Sequence, residues 1–262
     1  QYALVLVDLH EYARALDALK ALPPKSLDAE ARFLQAQAQS GLGQHRQALR
    51  TLRGVLAADP EDIDALGLMA YQYEMLKDYA AAEKTYARLL AIDESRDEVR
   101  LRLATLNLKL NRPDRALALI RDGSRERGVL LEAAEVFLRE GFPAQASAVL
   151  ELLAENGPVS AEFYLYQAMI AFEGRGDAEK ALGYLEKVGE NDPSFEQAFR
   201  FRIHLLSQTG KKDAALALVE DGMRRHPDQS QFWLLRAQVQ EAAGDLAAAR
   251  ATLEQAAGSW PQ

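Results

Sequence analysis

Apolar residues run through this chain at spacings of three and four, the signature of a helix face, and a turn interrupts them about every fifteen residues. A small residue followed four positions later by a large apolar one recurs just after alternate turns. In Gly43–Leu52 the pair is Ala48 and Leu52, and Pro60 follows twelve residues past Ala48. The block returns at Lys77–Ala82 with Tyr86, and at Asn111–Ala116 with Ile120. Ala48, Ala82 and Ala116 lie 34 apart, as do Ala181, Ala215 and Ala249. Ala15 precedes Ala48 by 33, and Ala146 sits between the two triplets at steps of 30 and 35. The pattern predicts eight helix pairs, each with alanine at the anchor, because two helices approach closely only where one presents a small side chain.

A second small position recurs in the first helix of most pairs, at Ala36, Ala70, Ala104, Ala134 and Ala237. Met169 and Ile203 take that place in pairs six and seven, which are therefore expected to pack wider. Gly43, Gly141, Gly176, Gly210 and Gly244 are expected to close first helices in a left-handed cap, and His10 occupies the same place in the first pair. Asp59-Pro60, Asp192-Pro193 and His226-Pro227 are expected to end second helices, since the residue before proline is pushed out of the helical region. Helices this short cannot bury their stripes alone, so stacked neighbours must complete them.

This pattern resembles the tetratricopeptide repeat, whose motif reads W-x2-L-G-x2-Y, then A-x3-F, then proline. The last repeat matches it as Trp233, Ala237, Ala249, Leu253 and Pro261. The third matches as Leu66, Ala70, Tyr73, Ala82 and Tyr86, and the sixth as Leu165, Phe172, Ala181, Leu185 and Pro193. The resemblance spans the whole chain and implies an all-α, right-handed α-solenoid of about eight helix–turn–helix repeats. The expected repeats are residues 1–28, 29–62, 63–96, 97–126, 127–160, 161–195, 196–229 and 230–262. The first enters the motif part-way, which predicts a fragment of a longer protein. Gly123 and Gly128, at the 30-residue step, are expected to shorten the fourth pair's second helix. Asn156-Gly157-Pro158 marks a stop in the 35-residue step, and a local change of superhelical pitch is expected around residues 121–160.

Composition narrows the function. The net charge is −8, which argues against nucleic acid or an anionic membrane as ligand, since both need a basic footprint. No run of 18 apolar residues occurs, so direct membrane insertion is not expected. The chain has no cysteine, which removes disulfides, thiolate zinc sites and thiol nucleophiles. Cysteine avoidance suits an exported bacterial protein, periplasmic or outer-membrane-associated, slightly better than a cytoplasmic one.

Catalytic chemistry is not expected. His10, His45, His204 and His226 lie in separate repeats, and none forms a helical metal pair. His10 and His45 read as solvated turn residues, while His204 faces the expected groove. Gly41-Leu42-Gly43 lacks the preceding strand and third glycine of a dinucleotide loop. Asp59, Glu61, Asp62 and Asp64 lack the glycine of a calcium loop and fit the start of a helix. No cofactor or metal is expected.

The resemblance further implies that first helices line a concave face through motif positions 2, 5, 9 and 12. Carried over residue by residue, these give a partner-binding groove whose principal residues are Phe33, Tyr71, Leu101, Leu131, Leu138, Phe163, Tyr166, Ile170, Arg200 and His204. Glu30, Asp64, Glu98 and Glu135 supply a carboxylate rim, so the expected ligand is an amphipathic helix or extended apolar segment with basic character. The family's clamp for C-terminal carboxylates needs Lys and Asn where this chain has Phe33, Gln37, Gly67, Tyr71, Leu101 and Thr105, so that use is not expected. The resulting expectation is a non-catalytic scaffold for protein–protein interaction in bacterial envelope assembly, whether polysaccharide export, pilus or secretion. A cytoplasmic adaptor or sensor domain and the accessory repeats of an enzyme are the alternatives. End repeats that lack a polar cap also leave self-association open.

Overall fold

The structure, a computed structural model, describes residues 1–23, 27–123, 125–174 and 176–259. Among these, sixteen α-helices follow one another, and no strand occurs. They fall into two compact units, Gln1–Gln145 and Ala146–Gln262. The boundary lies within the stretch where the anchor spacing departs from 34.

In the first unit, α1 (Tyr2–Asp8) and α2 (Tyr12–Lys20) form the first pair. Then come α3 (Ala29–Gly41) with α4 (His45–Ala58), α5 (Ile63–Met75) with α6 (Tyr79–Ile92), and α7 (Asp97–Lys109) with α8 (Pro113–Arg121). α9 (Arg127–Arg139) follows, and α10 (Pro143–Glu155) runs from its first residues into the second unit. The second unit pairs α11 (Ala161–Met169) with α12 (Ala178–Leu185) and α15 (Gln231–Ala242) with α16 (Leu246–Ser259). Between them lie α13 (Phe195–Gln208) and α14 (Lys212–Arg225), also in contact. Among the described residues no helix is long and apolar enough to cross a membrane.

All eight anchor alanines are buried, as are the small first-helix residues Ala36, Ala70, Ala104, Ala134 and Ala237. The turns repeat as closely as the anchors do. Five residues before each anchor stands a left-handed residue: His10, Gly43, Lys77, Asn111, Gly141, Gly176, Gly210 or Gly244. In seven of the eight turns the next N–H donates to the carbonyl five residues back, as Gln44 does to Gln39 (2.8 Å) and Lys211 to Leu206 (2.8 Å). This is the Schellman closure, which satisfies carbonyls that a helix end leaves over. Asp28, Asp62, Asp78, Asp177 and Asp245 cap the helices that follow them, each accepting from an N–H three residues on. Capping thus accounts for Asp62 in the acidic stretch after Asp59.

Three local expectations change. The sixth turn is one residue longer: the Asp177 N–H donates to Ala171, six residues back (2.9 Å), and Ile170–Gly174 form a π-helical turn. That turn absorbs a residue, so Ala168, not Met169, is the small residue held against the partner helix, and it is fully buried. Pair six therefore keeps the small contact. α12 ends at Leu185, well before Asp192-Pro193. Gly183 and Gly189 lower helix propensity there, and the N–H groups of Lys187 and Val188 close tighter bonds to Tyr184 and Leu185. His45 is not a free turn residue, since it opens α4 and its Nδ1 donates to Gln72 Oε1 at 2.9 Å.

α8 is short, as expected, and Gly123 beyond it has a second reason. A Cβ there would lie 2.4 Å from Cδ of the buried Arg100, whose guanidinium donates to the Glu94 carbonyl (2.7 Å). Gly222 in α14 has a similar task, because a Cβ would sit 2.5 Å from the Phe232 ring. The Gly222→Ala change is expected to destabilise the chain by about 1–3 kcal/mol in urea unfolding despite better helix propensity. Gly54→Ala, where the nearest atom would be Arg32 Nη1 at 3.9 Å, should stabilise it by about 0.5–1 kcal/mol. Lys77→Gly, at φ 58°, should likewise add about 1 kcal/mol, and a loss on the same measurement would refute the strain assigned to that turn.

Candidate functional site

In the first unit the first-helix face centres on α5. Tyr71 is 39% exposed, and beside it a cleft of about 250 Å³ runs past Asp64, Gly67, Tyr86, Val99 and Arg102. Gly67 leaves this notch open, since a Cβ would come no closer than 3.6 Å to Leu89. One side of the notch carries charged groups. Glu74 Oε1 is buried without a hydrogen bond, 3.8 Å from Arg102 Nη1, and Arg102 Nε lies 3.6 Å from Glu98. Burial first, then a hydrogen bond to Glu74, push the Tyr86 hydroxyl well above its ordinary pKa and keep it a neutral donor. The site thus combines an exposed ring, an apolar notch and charges of both signs.

The expected groove residues of this unit separate by exposure. Tyr71 is exposed, while Phe33 and Leu131 are half-buried, Phe33 against the core. Leu101 and Leu138 are buried and offer no surface. Leu101 lies on α7, which packs against α6, α8 and α9.

In the second unit the π turn moves the register. Counting back from Gly176 places Phe163, Tyr166 and Ile170 on the groove face, but the additional residue shifts that alignment to Glu162, Leu165 and Met169. Ile170 is buried, and Leu165 is buried as well. Phe163 is half-buried with its ring edge-on to Tyr164 at 5.5 Å, and Tyr166 is half-buried. Lys187 lies over the Tyr164 ring at 5.1 Å. His204 is exposed and edge-on to Phe172, which meets Phe201 in the same way. Arg200 is exposed and donates to Glu196 (2.8 Å) and Gln231 (3.2 Å), so it is already paired within the chain. Phe172 was not placed on this face by the sequence because Gly174, at the end of the π turn, lies beside Gly176 and reads as part of the same turn. The 35-residue step was the available signal.

Among the described residues no group of three metal-ligating side chains converges. The arrangement presents apolar contact and charges of both signs.

Residues 131–194 and 202–262 match one profile of the tetratricopeptide repeat, and residues 40–95 and 75–129 match another. The C-terminal part of a TPR repeat-containing protein from Cytophaga hutchinsonii superposes with a TM-score of 0.65 at 14% identity, over 88% of this chain and 96% of that one. The human Protein O-mannosyl-transferase TMTC3 is 25% identical over 170 residues, 60% of this chain, which spans only 18% of that protein.

Deleting Glu173 should convert the π turn to a regular one and leave helicity and urea midpoint nearly unchanged. Deleting Glu135 from the regular α9 would rotate half that helix by about 100° and lower the midpoint sharply. Equal losses from both deletions would refute the bulge as a one-residue insertion.

Proposed function

Since the chain belongs to the tetratricopeptide repeat family, whose repeats generally serve as protein-interaction scaffolds, we propose that it is a non-catalytic scaffold holding a protein or peptide segment on its first-helix faces. The observation that carries this reading is Tyr71, a large ring left exposed beside the open notch at Gly67. A segment with one apolar side chain for that notch and basic groups for Asp64 and Glu98 fits the site. Phe33 and Leu131 extend the apolar contact in the first unit. In the second unit Arg200 and His204, with Phe172, offer a separate surface for the same kind of ligand, while the π turn takes Phe163 and Tyr166 out of that alignment. Leu101, Leu138 and Ile170 support these faces from beneath.

The setting we propose is the bacterial envelope, in the assembly of an export, pilus or secretion apparatus. The cysteine-free composition supports that setting. Capture from a bacterial lysate, with a photo-crosslinking residue at position 71, tests the site. Tyr71→Glu is expected to lower capture by about tenfold or more, whereas Arg53→Glu on the second-helix surface should not. Equal capture by both variants would remove the first-helix face as the working surface.

A further inference from the structure

Within the second unit the first residues of α13 and α15 meet, and a pocket of about 220 Å³ opens between them and the turns that lead into them. Its wall is aromatic: Phe195, Phe199, Phe232 and His226 all line it. Phe195 lies 5.6 Å from Phe199, tilted by 46°, and Phe199 stands edge-on to Phe232 at 5.4 Å. Phe232 in turn stacks on His226 at 5.8 Å. Rings set at such angles form a corner and not a flat sheet, so a rounded group placed there meets ring surface on more than one side. The corner is held from behind by a glycine. A Cβ on Gly222 would lie 2.5 Å from Phe232 and 3.1 Å from Phe199, so only glycine lets both rings seat where they do.

The charges around the rings are mostly negative. Glu190, Asp192 and Glu196 line the pocket, against the single guanidinium of Arg200. Arg200 is already held by Glu196 and Gln231, and Arg225, outside the pocket, pairs with Glu190 and Asp221. Asp192 accepts the Ser194 N–H (2.9 Å) and meets no cation. The lining therefore favours a positive group. A primary ammonium or a guanidinium would bring N–H groups that must stay hydrogen-bonded, and Phe199, Phe232 and Leu235 offer no acceptor. A quaternary ammonium spreads its charge over a methyl-covered surface and has no N–H to satisfy. It can lie against the rings at no such cost.

We propose that this pocket binds a quaternary ammonium group, held by cation–π attraction to the rings and by the charge of Asp192. The pocket is smaller than the roughly 300–1,000 Å³ of sites for drug-sized ligands, so it takes one such group and not a large molecule. The group can arrive free, as in choline, or as the headgroup of a phosphatidylcholine surface. The site lies beside Arg200 but stands or falls without the polypeptide ligand proposed for the first-helix faces.

Titration of the 262-residue chain with choline, followed by NMR, tests the proposal. Choline should bind saturably, and its neutral isostere, with a tert-butyl group in place of the trimethylammonium, about tenfold more weakly. Phe195→Leu keeps apolar bulk without the ring, and should weaken choline about fivefold while leaving the isostere unchanged. Asp192→Asn keeps an acceptor for the Ser194 N–H, and should also weaken choline alone, with circular dichroism of both variants matching the parent. Tighter binding to phosphatidylcholine than to phosphatidylglycerol vesicles would assign the headgroup, and equal binding the free group. A parent that does not bind choline overturns the proposal. Equal affinity for the isostere also overturns it, because the pocket would then be an apolar slot blind to charge. So does a Phe195→Leu variant that binds choline as the parent does, since the rings would then not hold the cation.

Discussion

Everything in this chain depends on how closely two short helices can lie. A helix of thirteen or fourteen residues buries too little on its own to persist, and its stability comes from packing one stripe against a neighbour. Alanine at the anchor removes the side chain that would hold the axes apart, and the large residue one turn later fills the space toward the next repeat. A left-handed residue then reverses the chain in the fewest possible steps. These three requirements recur at fixed separations because the geometry of the close contact fixes them.

That coupling explains what was readable in advance. The anchors, the turns at His10, Gly43, Gly141, Gly176, Gly210 and Gly244, and the short α8 follow from small, large and glycine residues at set distances. Lys77 and Asn111 adopt the same left-handed turn without glycine, so the repeat spacing revealed them where residue type did not. The early end of α12 and the π turn were hidden, since each depends on how a local backbone choice competes with packing. The candidate face was harder still. Position within a motif says which way a side chain points, but not whether the next helix has already covered it, and so Tyr71 stays open while Leu101 does not.

The first-helix faces mix rings, arginines and carboxylates, several of them already engaged with one another, as Arg200 is with Glu196 and Gln231. A ligand there must displace or join existing pairs, which favours discrimination over raw affinity.

Near-identical junctions carry a hazard that Gln72 addresses. When successive repeats share one apolar code, a collapsing chain could dock a helix pair against the wrong neighbour, a whole repeat out of step, with little loss of burial. Gln72 is fully buried where the other repeats place alanine, valine, leucine or isoleucine, and its amide is satisfied by His45 on one side and Ser40 on the other. No other repeat offers that pair of partners at those places. A mis-stepped stack would bury the amide unpaired, a penalty of about 1–3 kcal/mol that apolar residues could not impose. The second and third repeats are thereby marked as neighbours, and the order of the array is written into one hydrogen-bonded junction.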